Sequence, residues 1–138
     1  MKLTRTLATA AIAFGLSTGI GAADGHTGTG TLAKIAESGT IVIGHRESSV
    51  PFSYLDENQV PIGYSIDLCM KIVEAVSEEL EMELEVEYVP VNPQTRIALM
   101  ANGTIDLECG STTNNLTRQQ QVEYLPVTFV TGTKILTL

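Results

Sequence analysis

Positive charge is scarce in this chain. Eight Lys and Arg stand against sixteen Asp and Glu, for a formal net charge of −8. Such a body repels anions at long range and offers no basic face to phosphates, which excludes nucleic acid as a partner. Cysteine is also scarce, with Cys69 and Cys109 the two present. No Cys/His spacing fits a metal site, so no metal or other cofactor is expected. There is no Gly-x-Ser-x-Gly elbow, no phosphate loop and no Cys/His pair, and no acid–base constellation stands out. These absences point away from an enzyme. The longest apolar stretch, Leu7 to Ile20, falls short of the roughly 20 residues that span a bilayer.

That stretch has another reading. Lys2 and Arg5 precede it, and Gly21-Ala22-Ala23 follows it with small residues. A positive start, an apolar middle and a small-residue end make a secretory signal peptide over residues 1–23, cut near Ala23-Asp24, and imply a periplasmic destination. Its removal takes Lys2 and Arg5 away and leaves the sixteen acids in place. Residues 24–31 consist of Gly, Thr, His and Asp with no periodicity and read as a flexible leader. Export would permit a disulfide. Cys69, on the apolar side of a predicted helix, and Cys109, at a strand end, nevertheless read as two buried thiols.

The rest of the chain alternates helix and strand. A short helix over Leu32–Glu37 ends at Gly39, and Thr40-Ile41-Val42-Ile43-Gly44 is the continuous apolar run of a central parallel strand. Pro51-Phe52 and Asp56-Glu57-Asn58 break structure. A helix follows from about Ile66 to Leu80, with Ser65 as its expected N-cap. Ile66, Cys69, Val73, Val76 and Leu80 form its buried stripe. Leu84, Val86 and Tyr88 alternate with glutamates, which predicts a strand near a sheet edge with one face in water. Asn92 and Pro93 open a helix that carries Arg96 in its first turns and ends at Gly103. Ile105, Leu107 and Cys109 make a third strand, a short helix lies near Thr117–Val122, and an extended segment runs from Thr128 to Leu138. The fold class is therefore α/β, a mainly parallel sheet flanked by helices.

In such sheets, ligands sit beyond the carboxyl ends of the strands. Arg46 follows the first strand and Arg96 the second, while Gly110, Ser111, Thr113 and Arg118 follow the third. A guanidinium is a planar fork that matches a carboxylate, and the Ser and Thr hydroxyls can donate to the same oxygens. Gathering Arg46, Arg96 and Arg118 at one mouth would reverse the repulsion of anions locally, and a small ligand with more than one carboxylate is the natural occupant. The acidic run from Glu78 to Glu87 reads as a solvated surface. His45 reads as a packed or surface histidine.

Three segments carry a resemblance. They are Ile43-Gly44-His45-Arg46-Glu47-Ser48-Ser49-Val50-Pro51-Phe52-Ser53-Tyr54, then Gly63-Tyr64-Ser65-Ile66-Asp67, then the stretch from Asn102 to Asn115 that includes Glu108-Cys109-Gly110-Ser111-Thr112-Thr113. Together they resemble the periplasmic solute-binding proteins of ABC transporters for polar amino acids (family 3), closest to the glutamate/aspartate-binding branch. The resemblance implies the first lobe of a two-lobed, type II binding protein. Residues 32–131 would be that lobe and 132–138 the start of the hinge crossing, with the second lobe absent from the chain. It implies that Arg118, with Ser111 and Thr113, clamps an α-carboxylate, and that Arg46 and Arg96 take a side-chain carboxylate. The implied ligand is an acidic amino acid, the implied partners are the membrane permease subunits, and the full-length protein would be a monomer. Ser65 stands where the family usually has an acid, and Pro93 where close relatives have a hydroxyl residue. The same lobe also serves exported dehydratases and murein lyases, and the sensor domains of membrane receptors.

Overall fold

The computed structural model describes residues 30–132, 135 and 137. The signal-peptide expectation lies outside the described residues, as does the leader up to Thr29 and positions 133, 134, 136 and 138 of the expected crossing strand. No helix among the described residues is long and apolar enough to cross a membrane.

Helix α1 (Thr31–Ser38) leads into strand β1 (Thr40–His45). Strand β5 (Glu85–Pro90) lies on one side of β1 and β6 (Leu107–Cys109) on the other, all parallel, in the order β5-β1-β6. The register aligns Ile43 with Tyr88 and with Leu107, and His45 with Pro90 and with Cys109. The apolar run therefore does form a central strand. Alternating glutamates put β5 at the edge, with Glu85 and Glu87 exposed, and charged side chains there discourage pairing with another chain.

Helix α2 (Tyr64–Glu79) packs on the sheet and α3 (Arg96–Ala101) precedes β6. The core joins Ile66, Cys69 and Val73 of α2 to Ile41 and Ile43 of β1, Ile35 of α1 and Cys109 of β6. Val76 and Leu80, the other two residues of the expected stripe, pack partly buried against it. Each fully buried Ile or Val contributes about 1.5–3 kcal/mol of transfer free energy.

The expectation of two free thiols is overturned. Cys69 and Cys109 form a disulfide, with Cα atoms 6.2 Å apart and a sequence separation of 40. The helix stripe and the end of β6 share one buried layer, so both sulfurs point into the same space. A second tie lies beside it, where the Ser65 hydroxyl donates to the Gly110 carbonyl at 2.7 Å.

That bond also corrects the role expected of Ser65, which is inside α2 and does not cap it. The helix start is capped by backbone. The Tyr64 N–H donates to the Pro51 carbonyl at 3.0 Å and the Ser65 N–H to the Phe52 carbonyl at 2.8 Å. This approach needs glycine at the N-cap. Gly63 has φ 122°, and a Cβ there would lie 2.7 Å from the Phe52 oxygen.

The segment expected only to break structure contains a second, antiparallel sheet of β2 (Ser48–Ser49), β3 (Ser53–Leu55) and β4 (Pro61–Ile62). Pro51-Phe52 and Asp56-Glu57-Asn58 occupy its two turns. Asp56 shapes the second turn, its Oδ1 accepting from the backbone N–H groups of Asn58 and Val60, both at 2.8 Å. Near the other end, the short helix expected over 117–122 is a single 3₁₀ turn at Arg118–Gln120. Residues 128–132, expected to be extended, form no strand. They lie over the aromatic pair at the start of α2. Phe129 meets Phe52 edge-on at 4.9 Å, and the Tyr64 hydroxyl donates to the Thr128 carbonyl at 2.9 Å.

Closing a loop of 40 residues should stabilise the fold by about 2–4 kcal/mol. The double substitution Cys69→Ser/Cys109→Ser, or reductant, is expected to lower the urea midpoint of unfolding by that equivalent. A midpoint that reductant leaves in place would show that the bridge adds no stability.

Candidate functional site

The turn after β1 is held by a residue that sequence reasoning missed. Ser53 is fully buried. Its hydroxyl accepts from the Arg46 N–H at 2.9 Å and donates to the Arg46 carbonyl at 3.3 Å. This pins the Arg46 backbone at the sheet end and leaves its side chain half-buried. Among the described residues Arg46 forms no salt bridge with Glu47 or Asp67. His45 is packed, its ring edge-on to Tyr88 at 6.0 Å.

Beyond β5, Asn92 organises the turn that leads to α3. Its Oδ1 accepts from the Gln94 N–H at 2.9 Å and the Thr95 N–H at 3.0 Å, and its carbonyl accepts from the Arg96 N–H at 3.1 Å. The expectation that Asn92 and Pro93 open the helix is corrected: the helix begins at Arg96 with Thr95 at its N-cap, and Asn92 holds the turn before it. Arg96 is 6% exposed, and its Nε and Nη1 are buried with no hydrogen-bond partner. A guanidinium out of water with donors unused is costly unless something else meets them. Burial pulls the Arg96 pKa below its ordinary value; Glu108 counters this, while Arg118 and Arg46 add to it.

Glu108 is the second residue that sequence reasoning missed. It lies in β6 opposite Gly44 of β1, between the inward-facing Leu107 and Cys109. Its Oε1 is buried without a hydrogen-bond partner. Burial pushes its carboxyl pKa up. The Thr112 hydroxyl opposes that rise, as do the Arg96, Arg46 and Arg118 guanidinium groups. The carboxylate is therefore within electrostatic reach of all three arginines. An acid set between the two apolar residues of a short strand was the available signal for it.

A Cβ at Gly110 would push aside the flexible end of the Glu108 side chain and come within 3.0 Å of the Arg46 Cγ. The loop that follows exposes Ser111 and Thr113. Arg118 folds back on it, donating from Nη1 to the Thr113 carbonyl at 2.9 Å, and its backbone N–H donates to Asn115 Oδ1 at 3.0 Å.

A cavity of about 730 Å³ opens between α2, α3, the end of β6 and the segment 122–132. Arg96, Glu108, Gly110, Ser111 and Thr113 line it, whereas Arg46 and Arg118 lie outside its walls. Four of the six expected residues thus meet in one cavity, while Arg46 and Arg118 leave the same end of the sheet without lining it. The unused Arg96 donors and the Ser111 and Thr113 hydroxyls can meet a small anion, and Glu123 also lines the cavity.

The sequence profile of the bacterial extracellular solute-binding proteins, family 3, matches residues 41–138. The chain belongs to this family. It is 53% identical over 136 residues to a glutamate/aspartate import solute-binding protein of Salmonella typhimurium, covering 96% of this chain and 45% of that one. It is 58% identical over 110 residues to an L-glutamate/L-aspartate-binding protein of Pseudomonas aeruginosa, covering 78% of this chain and 36% of the relative. Among solved structures, the solute receptor for L-cysteine of Neisseria gonorrhoeae superposes with a TM-score of 0.60 at 26% identity, over 68% of this chain and 37% of that one. The chain thus spans less than half the length of the curated relatives it matches. Within the family, the parallel sheet flanked by helices is that of one lobe of a type II binding protein.

The buried carboxyl predicts a pH effect on stability. The folded protein holds the Glu108 proton more tightly than the unfolded chain does. The stability this confers is lost as pH rises from the ordinary value of 4.5 through the raised folded one. Glu108→Gln is expected to remove that component, so its unfolding midpoint falls less than the parent's across this window. Parallel slopes of midpoint against pH for the two proteins would rule the effect out.

Proposed function

We propose that this chain provides one lobe of an extracytoplasmic solute-binding protein that delivers acidic amino acids, glutamate or aspartate, to an ABC transporter. The observation that carries the reading is a buried guanidinium, Arg96, with unused donors at a strand-end site shared with Arg46 and Arg118. The names of the relatives support the choice of ligand, since both bind glutamate and aspartate. Arg118, with Ser111 and Thr113, takes the α-carboxylate, and Arg46 and Arg96 take the side-chain carboxylate. Gly110 keeps the backbone low enough for the ligand to approach. Residues 32–131 act as the binding lobe and 132–138 lead into a hinge.

The protein works in the periplasm after export, with the membrane permease subunits as its partners, and it turns over no substrate. Binding, not bond-breaking, is what the donors can do. They neutralise and orient carboxylates, and the part-buried Glu108 lies within the field of the arginines. One lobe desolvates one side of an amino acid, so affinity for this chain alone is low.

Titration of the chain by NMR with glutamate, aspartate, lysine and arginine tests the reading. The acidic amino acids are expected to shift the resonances of Arg96, Ser111, Thr113 and Arg118. Arg96→Ala and Arg118→Ala should each weaken binding by about ten- to a hundredfold, the equivalent of losing one charge-assisted hydrogen-bond pair. Preference for lysine or arginine would reject the assignment.

A further inference from the structure

Two adjacent residues at the exit of β6 are fastened to one face of α2. Cys109 is bridged to Cys69, and the next carbonyl, that of Gly110, accepts from the Ser65 hydroxyl at 2.7 Å. Ser65 and Cys69 are one helical turn apart on α2, so they stand on the same face of it. A serine inside a helix ordinarily turns its hydroxyl to water or to the turn before it. This one reaches a carbonyl at a sequence separation of 45.

What the two ties hold is the near end of the candidate binding loop. Residues 111–115 form neither helix nor strand, and Ser111 and Thr113 are exposed on them. At the far end, the Thr113 carbonyl accepts from Arg118 Nη1 at 2.9 Å and from the Tyr124 hydroxyl at 3.4 Å. Gly110 also lies close to the Arg46 stem, with room for no more than a hydrogen between them. A displaced Gly110 would therefore carry the Ser111 and Thr113 hydroxyls with it and disturb Arg118 and Arg46.

We propose that Ser65 and the Cys69–Cys109 bridge are positioning residues for ligand binding, which together set the Gly110–Thr113 loop, and its hydroxyls, in the place where a carboxylate meets them. This deepens the binding reading above and rests on it. One tie fixes a point and leaves the chain free to pivot there. Two ties to adjacent residues fix its direction as well. A loop already in place does not have to be ordered when the ligand arrives, and that saving goes into affinity. Ser65 and the bridge act through the loop.

The test compares the unmodified chain with Ser65→Ala, with Ser65→Thr, which keeps the hydroxyl, and with the chain reduced by dithiothreitol. In the reduction two electrons and two protons pass to Cys69 and Cys109, and the reagent closes to its own disulfide. The first readout is NMR backbone order without ligand. Ser111–Thr113 should be as rigid as β6 in the unmodified chain and in Ser65→Thr. In Ser65→Ala and in the reduced chain their order parameters should fall from about 0.85 toward 0.6. The Cα shifts of α2 should hold in Ser65→Ala, which separates a freed loop from a loosened helix. The second readout is affinity for L-glutamate by chemical-shift titration. It should fall about two- to tenfold in Ser65→Ala, the equivalent of one hydrogen bond, and at least as far on reduction, while Ser65→Thr stays near the unmodified chain.

A loop whose order survives either change overturns the inference, as does loop order that falls while affinity holds. In both cases the binding reading stands. Should reduction unfold the chain, Ser65→Ala, which leaves the bridge in place, decides by the same two readouts. If the unmodified chain binds no dicarboxylate, the reading fails and takes the inference with it.

Discussion

Strand β1 hydrogen-bonds along both edges, to β5 on one side and to β6 on the other. Everything at the site depends on that double pairing. A parallel strand held on both sides fixes where its neighbours end, because register is set residue by residue and a slip would expose Ile41 and Ile43. His45, Pro90 and Cys109 therefore finish level with one another. The chain leaves all three strands at the same end of the sheet, and Arg46, the turn to Arg96 and the Gly110 loop leave with it. The disulfide and the bond from Ser65 to Gly110 then fasten the last of these exits to α2.

What gathers there runs against the charge of the molecule as a whole. The body is acidic, yet its sheet end concentrates guanidinium groups, one of them almost fully out of water. Burying an unmatched cation is unfavourable, and the rest of the fold must sustain it. The core of Ile, Val and the bridged cysteines supplies that support. In return the site keeps desolvated donors facing a cavity, where each bond to an anion is stronger than it would be in water. Glu108 offsets part of the repulsion among the arginines.

Part of this could be read from residue order. The run Ile41-Val42-Ile43 marked a central strand, the spacing of Ile66, Cys69 and Val73 marked the buried face of α2, and the alternating glutamates marked β5 as an edge. Asn92 and Pro93 looked like a helix start, but the helix begins later, at Arg96. These signals are local, each contained within one element. The small β2-β3-β4 sheet was not legible, because strands of two or three residues carry no periodicity and Pro51 reads as a breaker. Ser65 looked like a cap because its neighbours look like a helix start. The carbonyls of Pro51 and Phe52, brought in by that small sheet, took the role instead.

By itself the amino-acid sequence determined the α/β alternation, the membership of the core and the placement of Arg46, Arg96, Arg118, Gly110, Ser111 and Thr113 after strands, since hydrophobic period and chain order are properties of neighbouring residues. Tertiary structure alone decided the Cys69–Cys109 bridge, the burial of Arg96 and the position of Glu108 among the three arginines. Each depends on how far apart two surfaces stand once elements remote in sequence have packed, and the dielectric around a charge is set by that packing.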